Sequence, residues 1–181
     1  LIVGNADYDK RPLSNPLRDA QLIKNALEAT GFEVILTTDT NIKTFDRALR
    51  EFREKIKDAG PKTTALFYYS GHAIQHNGEN YLMPIKSKFE NDFDLKYETI
   101  PTGKVLAAMA STKGFKIVLL DACRDSPFKS FVKSANKGLA MIEAQEGTII
   151  GYATGPGKVA VDGSGKNSPF AIGLAKAIQT P

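Results

Sequence analysis

Short apolar runs rich in β-branched and aromatic residues recur along this chain with helical patterns between them, and that alternation limits the fold more than any other feature. Leu1 to Gly4 reads as the tail of a buried strand, and Phe32 to Leu36 as a strand. Thr63 to Tyr69 ("TTALFYY") and Phe115 to Leu120 read as buried strands, and Thr148 to Ala153 as another. A short hairpin strand is expected at Tyr81 to Pro84, after Asn77-Gly78. Between the strands, Ala20, Ile23, Ala26 and Leu27 fall at helical spacing, as do Phe45, Leu49, Phe52 and Ile56. Val105, Leu106 and Met109 mark a third helix opened by Pro101, and Phe170, Ile172, Leu174 and Ile178 a last one.

The start and stop signals agree with this division. Ser14-Asn15-Pro16, Thr40 or Asn41, and Asn167-Ser168-Pro169 offer caps and first-turn prolines, while Gly31 and Gly60-Pro61 end helices. Strands alternating with helices of roughly 10–15 residues predict βαβ units. The expected class is α/β, with a mostly parallel central sheet of about six strands and helices on both faces. In such sheets the ligand crevice lies beyond the carboxyl ends of the strands. Asp125 to Ala144 and Gly155 to Gly165 read as loops flanking that rim.

Composition narrows the class of activity. At 181 residues with 42% hydrophobic content, the chain can bury a core without staples. Its single cysteine rules out an internal disulfide framework. No apolar run approaches the roughly 18 residues of a membrane span, and a cytoplasmic location is expected, with a leader possibly removed ahead of the strand-like "LIVGN". The net charge is +4, but the lysines, Lys55 and Lys57 among them, are scattered and not interleaved with aromatics, which argues against nucleic-acid binding. No phosphate-cradling glycine motif follows a strand, which argues against a nucleotide-binding domain.

The lone thiol stands in "IVLLDACRD", at the end of a buried strand. A thiolate is a strong nucleophile, and a neighbouring imidazole can take its proton. Of the two histidines, His72 follows the strand "TTALFYY" through Ser70-Gly71, whereas His76 lies in the polar "AIQHNGEN" and is expected to face solvent. The sheet would put His72 and Cys123 on one rim. A core cysteine is the ordinary alternative for a lone thiol beside a strand. Acyl transfer also needs donors for an oxyanion, and the backbone amides of Cys123 and Ala73 are the candidates.

These motifs resemble the caspase-type cysteine peptidases, in particular the metacaspases and their prokaryotic relatives, the orthocaspases. The histidine motif is "YYSGHA" and the cysteine motif "DACRD", with His72 about 50 residues upstream of Cys123. "LIVGN", "NPLRDA", "GYATGPG" and "NSPF" extend the resemblance over almost the whole chain. It implies a three-layer caspase-like fold in one catalytic domain over residues 1–181. Within it, 1–124 would be large-subunit-like, 125–147 a linker loop and 148–181 small-subunit-like and possibly truncated. It further implies a Cys123–His72 dyad acting on peptide or protein substrates, with Gly71 and Ala73 flanking His72 in the oxyanion region.

The resemblance also implies specificity for arginine or lysine at P1, with Asp121 and Asp19 as the pocket carboxylates. Arg18, beside Asp19, would restore an acidic P1 if it pointed inward. Lys129, Lys133 and Lys137 are candidate self-cleavage points. No cofactor is required by the sequence, although some metacaspases need calcium and Glu90, Asp92 and Asp94 could bind it. Ala73 stands where the family has glycine, and Asp125 where caspases have a small residue. Those departures keep open the alternative of a catalytically weak or inactive caspase-like interaction or signalling module. The oligomeric state is not legible.

Overall fold

The backbone follows the alternation that the sequence sets out. The computed structural model describes residues 1–123 (Cys123 by its main chain alone), 139–142, 144, 146–153 and 165–180. In chain order the elements are β1 (Ile2–Gly4), α1 (Pro16–Ala29), β2 (Leu36–Thr38), α2 (Ile42–Ala59), β3 (Ala65–His76) and β4 (Glu79–Leu82). A single 3-10 turn (Asp92–Asp94), α3 (Leu95–Glu98), β5 (Ile100–Pro101), α4 (Thr102–Met109), β6 (Lys116–Cys123), β7 (Thr148–Tyr152) and α5 (Pro169–Gln179) complete it. The sheet has seven strands among the described residues, one more than expected, because the two-residue β5 carries no periodic signal of its own.

Five strands run parallel in the order β2-β1-β3-β6-β7, and β4 and β5 add an antiparallel hairpin and edge. The 12-residue β3 belongs to both parts. Ala65 to His72 pair with Lys116 to Cys123, and Ala73 to His76 pair with Leu82 to Glu79. The strand therefore does not stop ahead of His72 as the sequence suggests; successive partners on β6 and β4 keep it extended. Asn77 (φ 49°) and Gly78 (φ 81°) then close the hairpin with two left-handed residues, the turn that matches strand twist.

Alternation along β3 sorts the layers. Phe67 and Tyr69 face a core built with Phe45, Leu49, Phe52 and Ile56 of α2 and Val105 and Met109 of α4. Leu66 and Tyr68 face the other way, onto Ala20, Ile23 and Leu27 of α1 and Ala171 and Ala175 of α5. Each fully buried large aliphatic or aromatic side chain in these stripes contributes about 1.5–3 kcal/mol. Asn41 caps α2 by accepting from the amides of Lys43 and Thr44, while the other cap candidate, Thr40, is bonded to Asn5 instead. Gly4 lets α1 lie directly on β1: a Cβ there would sit 2.6 Å from the Pro16 carbonyl oxygen and 2.8 Å from the Ala20 Cβ.

Two expectations are corrected. Ladder pairing of the second strand covers Leu36–Thr38, not Phe32 to Leu36. Phe32 and Val34 still pack on the α1 core, so their apolar pattern reports burial without a strand partner. On α5 the buried face is Ala171 and Ala175, and Ile172 is exposed. No helix among the described residues is long and apolar enough to cross a membrane.

Candidate active site

His72 sits 2% exposed near the carboxyl end of the parallel part of β3. Its imidazole Nε2 lies 2.8 Å from the carbonyl oxygen of Arg11. That oxygen can only accept, so Nε2 donates, and in the neutral ring Nδ1 is the basic nitrogen. Arg11 presents this carbonyl from a left-handed backbone, φ 55°, a conformation that costs a non-glycine residue energy and that neighbouring structure must hold in place.

Two buried tyrosines hold the main chain of His72. Its N–H donates to Tyr8 Oη at 2.9 Å, and Tyr8 Oη donates to the Met83 carbonyl at 3.0 Å. Tyr69 Oη donates to the His72 carbonyl at 2.6 Å and accepts from the Met83 amide at 3.2 Å. The Tyr8 ring also packs on the imidazole, centroids 4.5 Å apart and tilted by 53°. Burial pushes the Tyr8 hydroxyl well above its ordinary pKa, so it is neutral and able to donate at physiological pH. Gly71 is not the turn residue it resembles in the sequence. It has no positive φ among the described exceptions. A Cβ there would stand 2.6 Å from Tyr69 Oη and 2.7 Å from Tyr8 Oη.

Register sets the place of the thiol carrier. Cys123 is the last residue of β6 and is the Cα partner of His72 on β3. Adjacent strands lie about 4.8 Å apart, so the two main chains meet at one rung. In the pleat, position 123 falls on the same side of the sheet as Leu119 and Asp121. The Ala65 amide donates to the Phe115 carbonyl on the β6 side, and strand alternation sends the Ala73 amide the same way, toward the end of β6. Ala73 is buried and its φ is not positive, so the exchange of the family's glycine for alanine introduces no backbone strain.

The two carboxylates predicted for the pocket come together. Asp19, 0% exposed, accepts from Asn167 Nδ2 at 2.8 Å and from the Ser168 amide at 2.9 Å. Asp121, 7% exposed, accepts from Tyr68 Oη at 3.1 Å and from Ser168 Oγ at 2.6 Å. One residue, Ser168, thus bridges both. Asp121 pairs in register with Ser70, two residues before the His72–Cys123 rung, about 6.6 Å along the strands on the same face. Tyr68 titrates well above the ordinary tyrosine range, first through burial and then through the negative charges of Asp121 and Asp19. Two hydrogen-bonded carboxylates thus lie together on the α1/α5 face.

The remaining predicted residues fall elsewhere. Arg18 is exposed and bonded to Asn15 Oδ1 at 2.6 Å and to the Lys166 carbonyl. It does not turn into the acid pair, and the acidic-P1 alternative that needed it there has no support. His76 is not solvent-facing: its side chain is 12% exposed, 2.9 Å from Asn77 and 3.9 Å from Asp92. Asp94 accepts from the amides of Glu90 and Asn91 and so serves the 3-10 turn. Among the described residues no group of three or more His, Cys, Asp or Glu side chains could hold a metal ion. Lys129, Lys133, Lys137, Arg124, Asp125 and most of the 125–147 loop lie outside the described residues.

Sequence reasoning missed Tyr8, Tyr69 and the Arg11 carbonyl as partners of His72, and saw Ser168 only as a helix cap. "SGH" after a strand signalled the histidine, but nothing local signals a tyrosine 64 residues away that receives its amide proton. The caspase-domain family model, a peptidase family, matches residues 1–181. Among curated proteins none matches the chain.

Proposed function

The chain belongs to the caspase-domain family of cysteine-type peptidases, and from that premise we propose that it is an endopeptidase with a Cys123–His72 dyad that cuts after arginine or lysine. The substrates of such a family are peptides and proteins; the basic P1 is our reading. The observation that carries it is the shared rung of His72 and Cys123, with the Asp19–Asp121 pair two residues below on the same face.

In this scheme the Arg11 carbonyl keeps the Nε2 proton in place, and Nδ1 of His72 takes the thiol proton. The thiolate attacks the scissile carbonyl carbon, and the electron pair of that C=O moves onto oxygen. The amides of Cys123 and Ala73 would serve as oxyanion donors, a role worth about 3–4 kcal/mol per donor where it operates. Collapse breaks the C–N bond, the amine leaves with the proton from His72, and water then hydrolyses the thioester. A P1 guanidinium would bind the two carboxylates through its planar fork, the geometry that suits them best. Lysine would bring charge without the fork.

The test is cleavage of peptides differing only at P1, with the Cys123→Ala variant as control. Arginyl and lysyl peptides should be cut, aspartyl and alanyl peptides should not, and the variant should fold and be inert. A folded, inactive wild-type protein would instead identify a non-catalytic interaction module. Cleavage after aspartate would overturn the pocket assignment.

A further inference from the structure

We propose that Ser168, the N-cap of α5, is the positioning residue that gives the acid pair its preference for arginine over lysine; this rests on the basic-P1 reading above. Its hydroxyl donates to Asp121 Oδ2 at 2.6 Å and at the same time accepts from the Ala171 amide at 3.0 Å. Its own amide donates to Asp19 Oδ1 at 2.9 Å, and its neighbour Asn167 donates to the same oxygen at 2.8 Å. A carboxylate from α1 and a carboxylate from β6, remote in sequence, are therefore fixed against one residue of a third element, which is itself 4% exposed.

The chemistry follows from the difference between the two basic side chains. A guanidinium is planar and binds carboxylates through a rigid fork, so its affinity depends on the orientation of both acids. An ammonium is a point charge and tolerates acids that have turned. Without the Ser168 hydroxyl, Asp121 keeps its bond from Tyr68 but loses the bond that ties it to the residue that also holds Asp19. Arginine recognition should suffer and lysine recognition should not. The hydroxyl is not aimed at the His72–Cys123 rung, so the chemical step should be spared.

The experiment compares Ser168→Ala, Ser168→Gly and Ser168→Thr with Asp121→Asn, on arginyl and lysyl reporter peptides, with benzamidine as a guanidine-like competitor. Glycine is included because it is well tolerated at an N-cap, so the helix start survives while the hydroxyl is lost. Both hydroxyl-free variants should raise KM for the arginyl peptide about tenfold and weaken benzamidine inhibition to the same degree. The lysyl KM should change less than twofold, kcat should hold, and Ser168→Thr should restore the arginine preference. Equal losses on both peptides, or a fall in kcat alone with KM unchanged, would reduce Ser168 to a helix cap and overturn the proposal. If Asp121→Asn abolishes arginyl binding while the Ser168 variants are silent, this proposal fails and the basic-P1 reading stands. If Asp121→Asn leaves arginyl turnover intact, both fall.

Discussion

Gly71→Ala is the substitution that most directly tests how His72 is held. The added methyl group would lie 2.6 Å from Tyr69 Oη and 2.7 Å from Tyr8 Oη, where ordinary contact begins at 3.4 Å. Each hydroxyl would have to retreat by about 0.7–0.8 Å. Neither can do so freely, because Tyr69 Oη is bonded to the His72 carbonyl at 2.6 Å and Tyr8 Oη to the His72 amide at 2.9 Å. Overpacking of this kind costs about 1–3 kcal/mol, and each main-chain bond released adds about 1 kcal/mol. A total near 3 kcal/mol corresponds to a melting point lower by about 6–12 °C in a domain of this size. Because the displaced groups carry the His72 main chain, kcat at 25 °C should fall at least about tenfold in protein that is still folded, while KM stays close to its original value. Calorimetry and steady-state hydrolysis of an arginyl peptide read both quantities. The Tyr8→Phe background removes one of the two obstructing oxygens, so Gly71→Ala should cost about 1 kcal/mol less there, a coupling expected only of neighbours. A Gly71→Ala protein that melts and turns over like the parent would show that the two hydroxyls are not where the histidine gets its position.

Further outcomes concern stability. Burial raises the pKa of Tyr8 and, with help from Asp121 and Asp19, that of Tyr68. A group whose native pKa lies above its unfolded value stabilises the fold fully below the unfolded pKa, here about 10, and loses that contribution as pH rises above it. Denaturant unfolding should therefore show about 2 kcal/mol lost between pH 10 and 11, with roughly half recovered in Tyr68→Phe; a flat profile over that range would contradict the burial of both hydroxyls. Asn80, 0% exposed on β4, accepts from the Ala140 amide at 2.7 Å and donates to its carbonyl at 2.8 Å. Asn80→Leu keeps the volume but leaves that amide without its acceptor, at about 1–3 kcal/mol. The melting point should fall by several degrees with kcat unchanged, and a matching loss of kcat would tie the 139–142 segment to the reaction.

The parts of this molecule legible in the sequence are those written in local pattern. Ala65 to Tyr69 and Ile117 to Leu120 mark strands because both of their faces pack between helical layers, which makes them continuous apolar runs. The α2 stripe Phe45, Leu49, Phe52 and Ile56 is legible for the same reason, since all four are buried on one face. Phe32 to Leu36 carries an equally apolar pattern and yet pairs only from Leu36 onward, because pattern reports burial and not the presence of a ladder partner. His72 and Cys123 are legible as residues that follow buried apolar runs, but their shared rung is a property of register. Register between β3 and β6 is decided by both strands and the layers over them. The Arg11 carbonyl leaves no trace in the sequence, since any residue has one. Ser168 leaves a misleading trace: its capping bond to Ala171 explains its presence, and only the coordinates reveal the second bond, to Asp121.

That second bond bears on why the acid pair exists at all. Asp19 and Asp121 sit on the face that otherwise buries Ile23, Leu66, Tyr68 and Leu119. Burying carboxylates is costly unless they are paired or well bonded, and Asp19 accepts from Asn167 and the Ser168 amide while Asp121 accepts from Tyr68 and the Ser168 hydroxyl. Apolar residues of similar volume at such positions are often neutral or stabilising, so packing alone gives no reason for two acids to be brought against one serine. Recognition of a basic side chain does give one, since a guanidinium binds carboxylates through a planar fork. The same reasoning predicts its own refutation. If Asp121→Asn melted higher and cleaved arginyl peptides as before, the acids would have no guest to serve, and their burial would need a cause other than recognition.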